Sequence, residues 1–477
     1  MARPAPSTLD PEILGKQLDS KATQEQWKVY KCKLVTPMFG GGVKAGEVDQ
    51  LMPIRATEIR GQLRFWWRLL NQKKYPNSKE MFKAERDIWG GLGDEDTLAA
   101  SKVSVMVRKQ PGSKTTASKS ETSAGIKYVF GQGDSQWLTA AQKFDVQLKF
   151  PKELASQVEV ALQWWATFGG IGAKTRRGFG AVQIEDIASV SDAELKEVGC
   201  LIARAETTTE PETAWQKANE KLHQFRQGRG FARAQGKEKP SRSYWSEPDQ
   251  LRRDFKMDDG GRHVPVHKAG NVFGRAAFGL PIIFDFRKNT EPGKTELLPA
   301  GTKERMASPL ILRPCIYNGR WTATALLLPY WKDALHQPLR YKNGKETPKA
   351  WPVDTKEQQR VAESIAPMNV DGKLRGLNPL SAFMTYFAEH ESKDVGQIAS
   401  AVKVDEKWEK AQIKYNKSNG ALTVEKEGKS ATAIKSAADV ILQTLSQAAR
   451  QKILTGQFFR ATATIKGTEL LKLEESK

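Results

Sequence analysis

Residues 54–68 read Ile54-Arg-Ala-Thr-Glu-Ile-Arg-Gly-Gln-Leu-Arg-Phe-Trp-Trp-Arg68, and two periodicities interleave in them. Ile59, Leu63, Trp66 and Leu70 recur at helical spacing and make one apolar stripe. Thr57 is the expected N-cap. Asn71 and the Lys73-Lys74 pair suit the C-terminal end, where cations oppose the helix dipole. Arg60, Arg64 and Arg68 stand one turn apart and share a face; Arg55 precedes them and Trp67 lies on the same side. Three stacked arginines repel one another unless an anion answers them. A polyanion backbone would do so through bidentate guanidinium–phosphate contacts, and the free N–H groups of the helix start add to that capacity. The plainer alternative is a solvated arginine face over a Trp-rich core. Gly61 costs the helix about 1 kcal/mol against Ala and admits close approach of another backbone.

Working outward, Trp27–Val35 largely alternates apolar with polar residues, the pattern of a half-buried strand. Thr36-Pro37 ends it, and Gly40-Gly41-Gly42 turns the chain, with Lys44 just beyond. Further strands are expected near Lys102–Arg108, Ile126–Phe130 and Phe144–Phe150. A second helix is expected from Pro151 to Phe168, with Val158, Leu162, Trp165 and Phe168 on its apolar stripe. Then come the loop Gly169-Gly-Ile-Gly-Ala-Lys-Thr-Arg-Arg-Gly-Phe-Gly180 and a strand, Ala181–Ile184. Strand, helix, strands, helix, strand is the split βαβ arrangement, so the expected class is α+β with a ferredoxin-like (RRM-like) first domain over 27–190.

The chain has 477 residues, with 75 Lys+Arg against 55 Asp+Glu and a formal charge of +20. That balance points to a polyanionic partner, nucleic acid before a membrane surface. No run approaches the eighteen apolar residues of a membrane span, and residues 1–26 hold no apolar core of a signal peptide. A cytoplasmic location and no membrane partner are therefore expected, with 1–26 a flexible segment. Cys32, Cys200 and Cys315 are far apart, and without a CxxC pair they read as reduced, buried small hydrophobes. The stretch 191–262 is polar and rich in Lys217, Lys221, Arg226, Arg229, Arg233, Lys237, Lys239 and Arg242, and reads as a basic linker or insertion that could order on RNA. Residues 263–477 read as a second ferredoxin-like domain with helical insertions. Its strands fall at Leu280–Phe286, Leu310–Pro314 and Trp321–Leu328, a late helix carries Ile434, Ala438, Ile441, Leu445 and Ala448, and Phe458–Ile465 completes the sheet.

The glycine-rich loop carries the second chemical signal. Five of its residues are glycine, around Lys174, Arg176 and Arg177. Exposed N–H groups beside cations make a phosphate cradle, and Phe179 is placed to stack on a base. It is not a Walker loop: Ala173 stands where that motif needs glycine, and the order is helix, loop, strand. Val272-Phe-Gly-Arg-Ala-Ala-Phe-Gly-Leu280 again pairs glycine with an arginine, Arg275, and aromatics; a plain turn into a strand is its alternative reading. Catalytic groupings are thin. His263 and His267 stand four apart, but Pro265 between them argues against a metal-binding helix face. Asp94-Glu95-Asp96 reads as a solvated loop, and Asp49 as a lone loop acid without the partners that metal-dependent cleavage needs. No catalytic residue, metal, cofactor or small-molecule substrate is expected.

Taken together, Thr36-Pro-Met-Phe-Gly-Gly-Gly42, the 54–68 helix, the Gly169–Gly180 loop, Phe273-Gly-Arg-Ala-Ala-Phe-Gly-Leu-Pro281 and Ala307-Ser-Pro-Leu-Ile-Leu-Arg313 resemble the RAMP superfamily of CRISPR-associated proteins, over roughly residues 27–330. Within it the resemblance is to the end subunit of type III-B (Cmr) effectors. It implies two ferredoxin-like domains and a non-catalytic subunit near the 3′ end of the guide RNA that helps capture target RNA beside other effector subunits. The RNA-binding residues it carries over are Arg55, Arg60, Arg64, Arg68, Lys174, Arg176 and Arg177, with Phe65, Trp66 and Phe179; Lys44 and Arg275 are expected to join them as RNA contacts. The rival readings are an endoribonuclease that processes guide RNA, with or without a metal, and a purely structural end cap.

Overall fold

The computed structural model describes residues 27–40, 47–49, 51–93, 98–109, 124–130, 137–235, 241–255, 264–286, 291–342, 348–389, 406–433, 435–466 and 469–475. Lys44, the segment 1–26, the acidic run 94–96 and His263 lie outside them.

Strand β1 (Lys28–Leu34) sends Cys32 and Leu34 inward and its lysines Lys31 and Lys33 outward, as its alternation requires. It lies between β3 (Lys143–Lys149) and β4 (Val182–Ile184), and β2 (Ser104–Arg108) flanks β3. The edge-to-edge order is therefore β2–β3–β1–β4, antiparallel throughout. Helix α1 (Ala56–Asn71) joins β1 to β2, and α4 (Ala155–Phe168) joins β3 to β4. Both helices share one core with the sheet, including Ile59, Leu63, Val146, Leu162 and Val182. Helix α1 starts two residues earlier than a Thr57 N-cap implies. Arg55 is the N-cap and makes no side-chain cap bond, while its carbonyl accepts from Glu58 N at 3.1 Å. Helix α2 (Ser78–Trp89), capped by Asn77, packs beside α1.

The expected strand Ile126–Phe130 is instead the end of a short helix, α3 (Ala124–Phe130). It packs on α5 (Pro211–Gln227) so closely that a Cβ on Gly125 would lie 2.5 Å from Glu220 N. Tertiary contact overrides the local β-propensity of Ile126, Tyr128 and Val129.

The expected linker 191–262 is largely a structural part of the second half. Strand β5 (Leu201–Thr208) enters a sheet with β8 (Leu310–Tyr317) and β9 (Arg320–Leu327), in the order β8–β9–β5. Helix α5 follows with Pro211 in its first turn. Its buried face is Ala214, Trp215, Ala218, Leu222 and Phe225. Alanines dilute that stripe and cations surround it, which is why the stretch looks polar in sequence. Helix α6 (Glu247–Asp254) lies near a small sheet of β6 (Ile282–Phe284), β7 (Thr295–Pro299) and β10 (Leu339–Tyr341), and Leu251 shares a core with all three strands. The Leu280–Phe286 strand thus belongs to a different sheet from the strands at 310–328. Helix α7 (Pro379–Ala388) packs against β5 and α5.

Residues 406–475 build a third, separate core. Strands β11 (Glu406–Asn416), β12 (Ala421–Lys426), β13 (Lys429–Ala433), β14 (Phe459–Lys466) and β15 (Glu469–Glu475) close into a barrel. The strand expected to complete the second sheet is β14 of this barrel. The expected single late helix is two, α8 (Lys435–Gln443) and α9 (Gln447–Thr455). Ser446 breaks them by accepting from Ala449 N at 3.2 Å as an N-cap, and the shift exposes Ala448 and buries Ala449. All three cysteines are free and buried. Among the described residues, no helix is long and apolar enough to cross a membrane.

Candidate nucleic-acid interface

The arginine row of α1 is answered from within the protein. Glu85 of α2, 1% exposed, accepts from Arg64 Nε at 2.6 Å and from Arg68 Nη1 at 2.7 Å. The expectation that only a polyanion balances these two cations is corrected: one buried carboxylate does. Arg55 pairs with Asp49 at 3.4 Å. The other Asp49 oxygen accepts from Leu51 N and Met52 N, and these bonds hold the carboxyl below its usual range. Arg60 alone of the row is half-buried without a side-chain hydrogen bond or ion pair among the described residues. Trp66 is core, 1% exposed, with Trp164 and Phe168 rings at 5.9 and 6.4 Å, so it is no base platform. Phe65 is half-buried beneath the Arg176 guanidinium, 4.9 Å from its centroid.

The glycine-rich loop spends much of its backbone internally. Gly172 N donates to Glu58, whose carboxyl burial pushes upward against that bond and Arg55. Ala173 N donates to Phe39 O, and Gly180 N to Pro37 O. The N–H groups of residues 171–173, 177, 178 and 180 are thus spent within the protein, a correction to the picture of exposed N–H groups. Gly178, at φ +74°, lies where a Cβ would meet Leu312 O at 2.5 Å, so the loop is pressed onto β8 of the second half. Phe179 is fully buried, edge-on to Trp215 at 4.9 Å. It packs the junction and is closed to bases.

The loop's cations reach across that junction. Arg177 donates to Leu310 O at 2.9 Å and Phe278 O at 3.1 Å; Trp215 Nε1 and Asn219 Nδ2 donate to its carbonyl. Arg176 donates to Ser308 O at 3.1 Å and Tyr330 Oη at 3.2 Å. Lys174, left-handed at φ +60°, donates to Val129 O at 2.9 Å and lies over the Phe39 ring. From the other side Arg313, 3% exposed, donates to Ala166, Gly169 and Val182 carbonyls. It caps the C-terminal end of α4 with a cation.

These residues border a cavity of about 1280 Å³ between the first domain and the second half. Nine basic side chains line it: Lys174, Arg176, Arg177, Arg226, Arg233, Arg242, Arg252, Arg275 and Lys294. Two acids oppose them, Asp285 and Glu291. Burial, and then neighbouring Arg226, lowers the Arg177 pKa to about 10; burial, and then Arg275, does the same for Arg233. Both stay charged at neutral pH. Arg226 is the telling member: its guanidinium lies between the Tyr128 and Phe278 rings, at 5.8 and 5.5 Å, and its buried Nε has no hydrogen-bond partner. Arg275 is buried on Glu247 at 3.2 Å, over the Trp245 and Phe284 rings. It is a wall of the cavity and not a free contact. Sequence reasoning placed Arg226, Arg233 and Arg242 in a linker and passed over Arg252 and Lys294. The density of basic residues at 217–242 was the signal that could have found the first three.

The fold and cavity define a mixed α+β protein with a basic cleft. Residues 31–183 match the family model of the RAMP superfamily. The chain is similar to Cmr1 of Pyrococcus furiosus in its apo form, at 14% identity and TM-score 0.37, covering 66% of this chain and 98% of that one. It is also similar to chains of type III-B Cmr-beta bound to cognate target RNA, at 13% identity: one covers 72% of this chain and 99% of that one at TM-score 0.34, and the other, with AMPPnP and single-stranded DNA present, 71% and 98% at TM-score 0.37. No curated protein matches the sequence.

Proposed function

We propose that this chain is a non-catalytic RNA-binding subunit of a type III-B CRISPR effector ribonucleoprotein in the cytoplasm, gripping guide or target RNA by its phosphates beside other effector subunits. The observation that carries this reading is the basic cavity: Arg242, Arg252 and Arg275 are ion-paired to Asp249, Glu291 and Glu247, but Arg176, Arg177, Arg226 and Arg233 make no ion pair among the described residues, and the buried Nε of Arg226 has no hydrogen-bond partner. Buried like charges at this density are unfavourable without a counter-anion, and phosphates supply it. The antiparallel order β2–β3–β1–β4 with two helices supports a ferredoxin-like first domain, and β8–β9–β5 with α5 and α7 supports a three-stranded relative of it. The Asp49 carboxylate is occupied by two N–H groups and Arg55, which supports the non-catalytic assignment.

The test is filter binding of single-stranded RNA to Arg226→Gln and Lys294→Glu across a salt series. Arg226 makes no hydrogen bond at Nε and Lys294 is exposed, so both variants keep the fold. Each weakens binding and reduces the salt slope by about one per lost phosphate contact; unchanged affinity refutes the cavity as the site. The same RNA incubated with Mg²⁺ stays intact, and cleavage lost on Asp49→Ala overturns the non-catalytic assignment.

A further inference from the structure

The C-terminal barrel has a strand order of its own. In sequence its strands run β11 to β15, but around the barrel they run β11–β12–β13–β15–β14, and β14 closes on β11. All pairs are antiparallel except β13 with β15, and α8 and α9 fill the connection between the third strand and the fourth. This is the arrangement of the five-stranded oligonucleotide-binding barrel, which takes single strands across its second and third strands and the loop between the first two. A fold by itself assigns no function, so the surface must carry the case.

The interior is apolar: Ile413, Leu422, Val424, Ala461 and Ile465 are buried. The outer face over β12 and β13 is polar and hydroxyl-rich, with Thr423 and Thr432 hydrogen-bonded across the strands at 3.1 Å and Lys414 paired to Glu425 at 2.6 Å. At one end of that face stands Phe458, 64% exposed, with the Arg460 guanidinium over its ring at 5.1 Å. The β11–β14 register sets Gln412 opposite Arg460. Continued by two residues it brings Lys414 across from Phe458, and the exposed residues Lys417-Ser-Asn419 follow at the same end. The Phe458 ring is thus open to solvent with a guanidinium beside it. It is the combination that stacks a base and holds its phosphate.

We propose that this barrel is a second, separate site for single-stranded RNA, in which Phe458 stacks a base, Arg460 and Lys417 take phosphates, and Thr423 and Thr432 face the sugar edge. The site rests on the barrel alone and does not depend on the cavity between the first two units.

The test uses the full chain with a 12-nucleotide oligouridylate, ultraviolet cross-linking and peptide mapping, so that adducts at the barrel and at the cavity are read separately. The expected adduct lies within 457–460. It is lost when the oligonucleotide is annealed to oligoadenylate, falls about tenfold in Phe458→Ala and Arg460→Glu, and is retained in Phe458→Trp. Because Phe458 is largely exposed, Phe458→Ala melts as the parent does. Adducts confined to the cavity in the parent overturn the proposal. So does a Phe458→Ala chain that cross-links as the parent does, or one that keeps its RNA adducts and loses a protein subunit of the assembled complex.

Discussion

Replacing Glu85 with Gln separates the two things that the α1 arginine row does. Glu85 is 1% exposed, and one of its oxygens takes both Arg64 Nε at 2.6 Å and Arg68 Nη1 at 2.7 Å. Removing one partner of a fully buried ion pair costs about 3–5 kcal/mol. Here the cations are not fully buried, with side chains 25% and 40% exposed, so both re-enter water when released and the loss is smaller. The amide keeps the shape and one neutral acceptor. The expected destabilisation is therefore about 2 kcal/mol, the difference between charge-assisted and neutral bonds for two donors. In a domain of this size that lowers Tm by about 4–8 °C. Urea unfolding followed by tryptophan fluorescence reads it directly, since Trp66, Trp67 and Trp89 lie in the same core. RNA affinity in the folded variant does not fall, because two guanidinium groups are released and one negative charge is removed. A Glu85→Gln chain that unfolds within about 0.5 kcal/mol of the parent would show that the row is merely solvated and would refute the structural role. For the same reason, charge reversal at Arg64 and Arg68 is a poor probe of RNA binding, since it crowds three carboxylates around one site. Arg60→Glu is the clean variant of this helix.

Other outcomes follow from the junction. Arg313→Ala removes the donor to three carbonyls at the end of α4 and β4 and destabilises by about 2–4 kcal/mol in urea unfolding; Arg313→Lys, without the planar fork, recovers only part. Gly178→Ala combines a left-handed backbone with a 2.5 Å clash on Leu312 O, so limited proteolysis should cut the junction between the first domain and β8 faster than in the parent. Stability is also pH-dependent. Burial lowers the pKa of His267 and of His223, and His267 Nδ1 accepts from Ala269 N as a neutral imidazole does. A histidine whose folded pKa is depressed binds its proton more readily when unfolded. Its contribution is therefore whole above the ordinary range near about 6.5 and is lost as pH falls below it. Urea midpoints at pH 7.5 and 5.5 should differ less in His267→Gln than in the parent.

The first domain was largely legible because its signals are local and strong: alternation in Lys28–Leu34, the four-three-four stripe of α1, and glycines where α4 meets β4. Its class followed from the order of those elements. What could not be read was the sharing of one surface by distant segments. Arg64 and Arg68 look like open cations until Glu85 arrives from the next helix, and Phe179 looks like a stacking ring until Trp215 closes over it. The basic stretch 191–262 looks like a linker because α5 buries alanines as well as aromatics, and a stripe of alanines hardly registers in hydrophobic periodicity. The barrel at 406–475 escaped notice because short alternating strands do not say which sheet they join.

Composition and spacing by themselves pointed to a polyanionic partner and to the arginine-rich and glycine-rich segments of the first domain. Only the tertiary structure decided which cations are spent on the protein and which are left to a ligand. Charge is a property of the sequence, but whether a charge is answered depends on burial and on partners up to more than a hundred residues away, as between Gly169 and Arg313. Along the α1 row two of the cations are held by Glu85, whereas in the cavity Arg176, Arg177, Arg226 and Arg233 converge from both halves with no ion pair among the described residues.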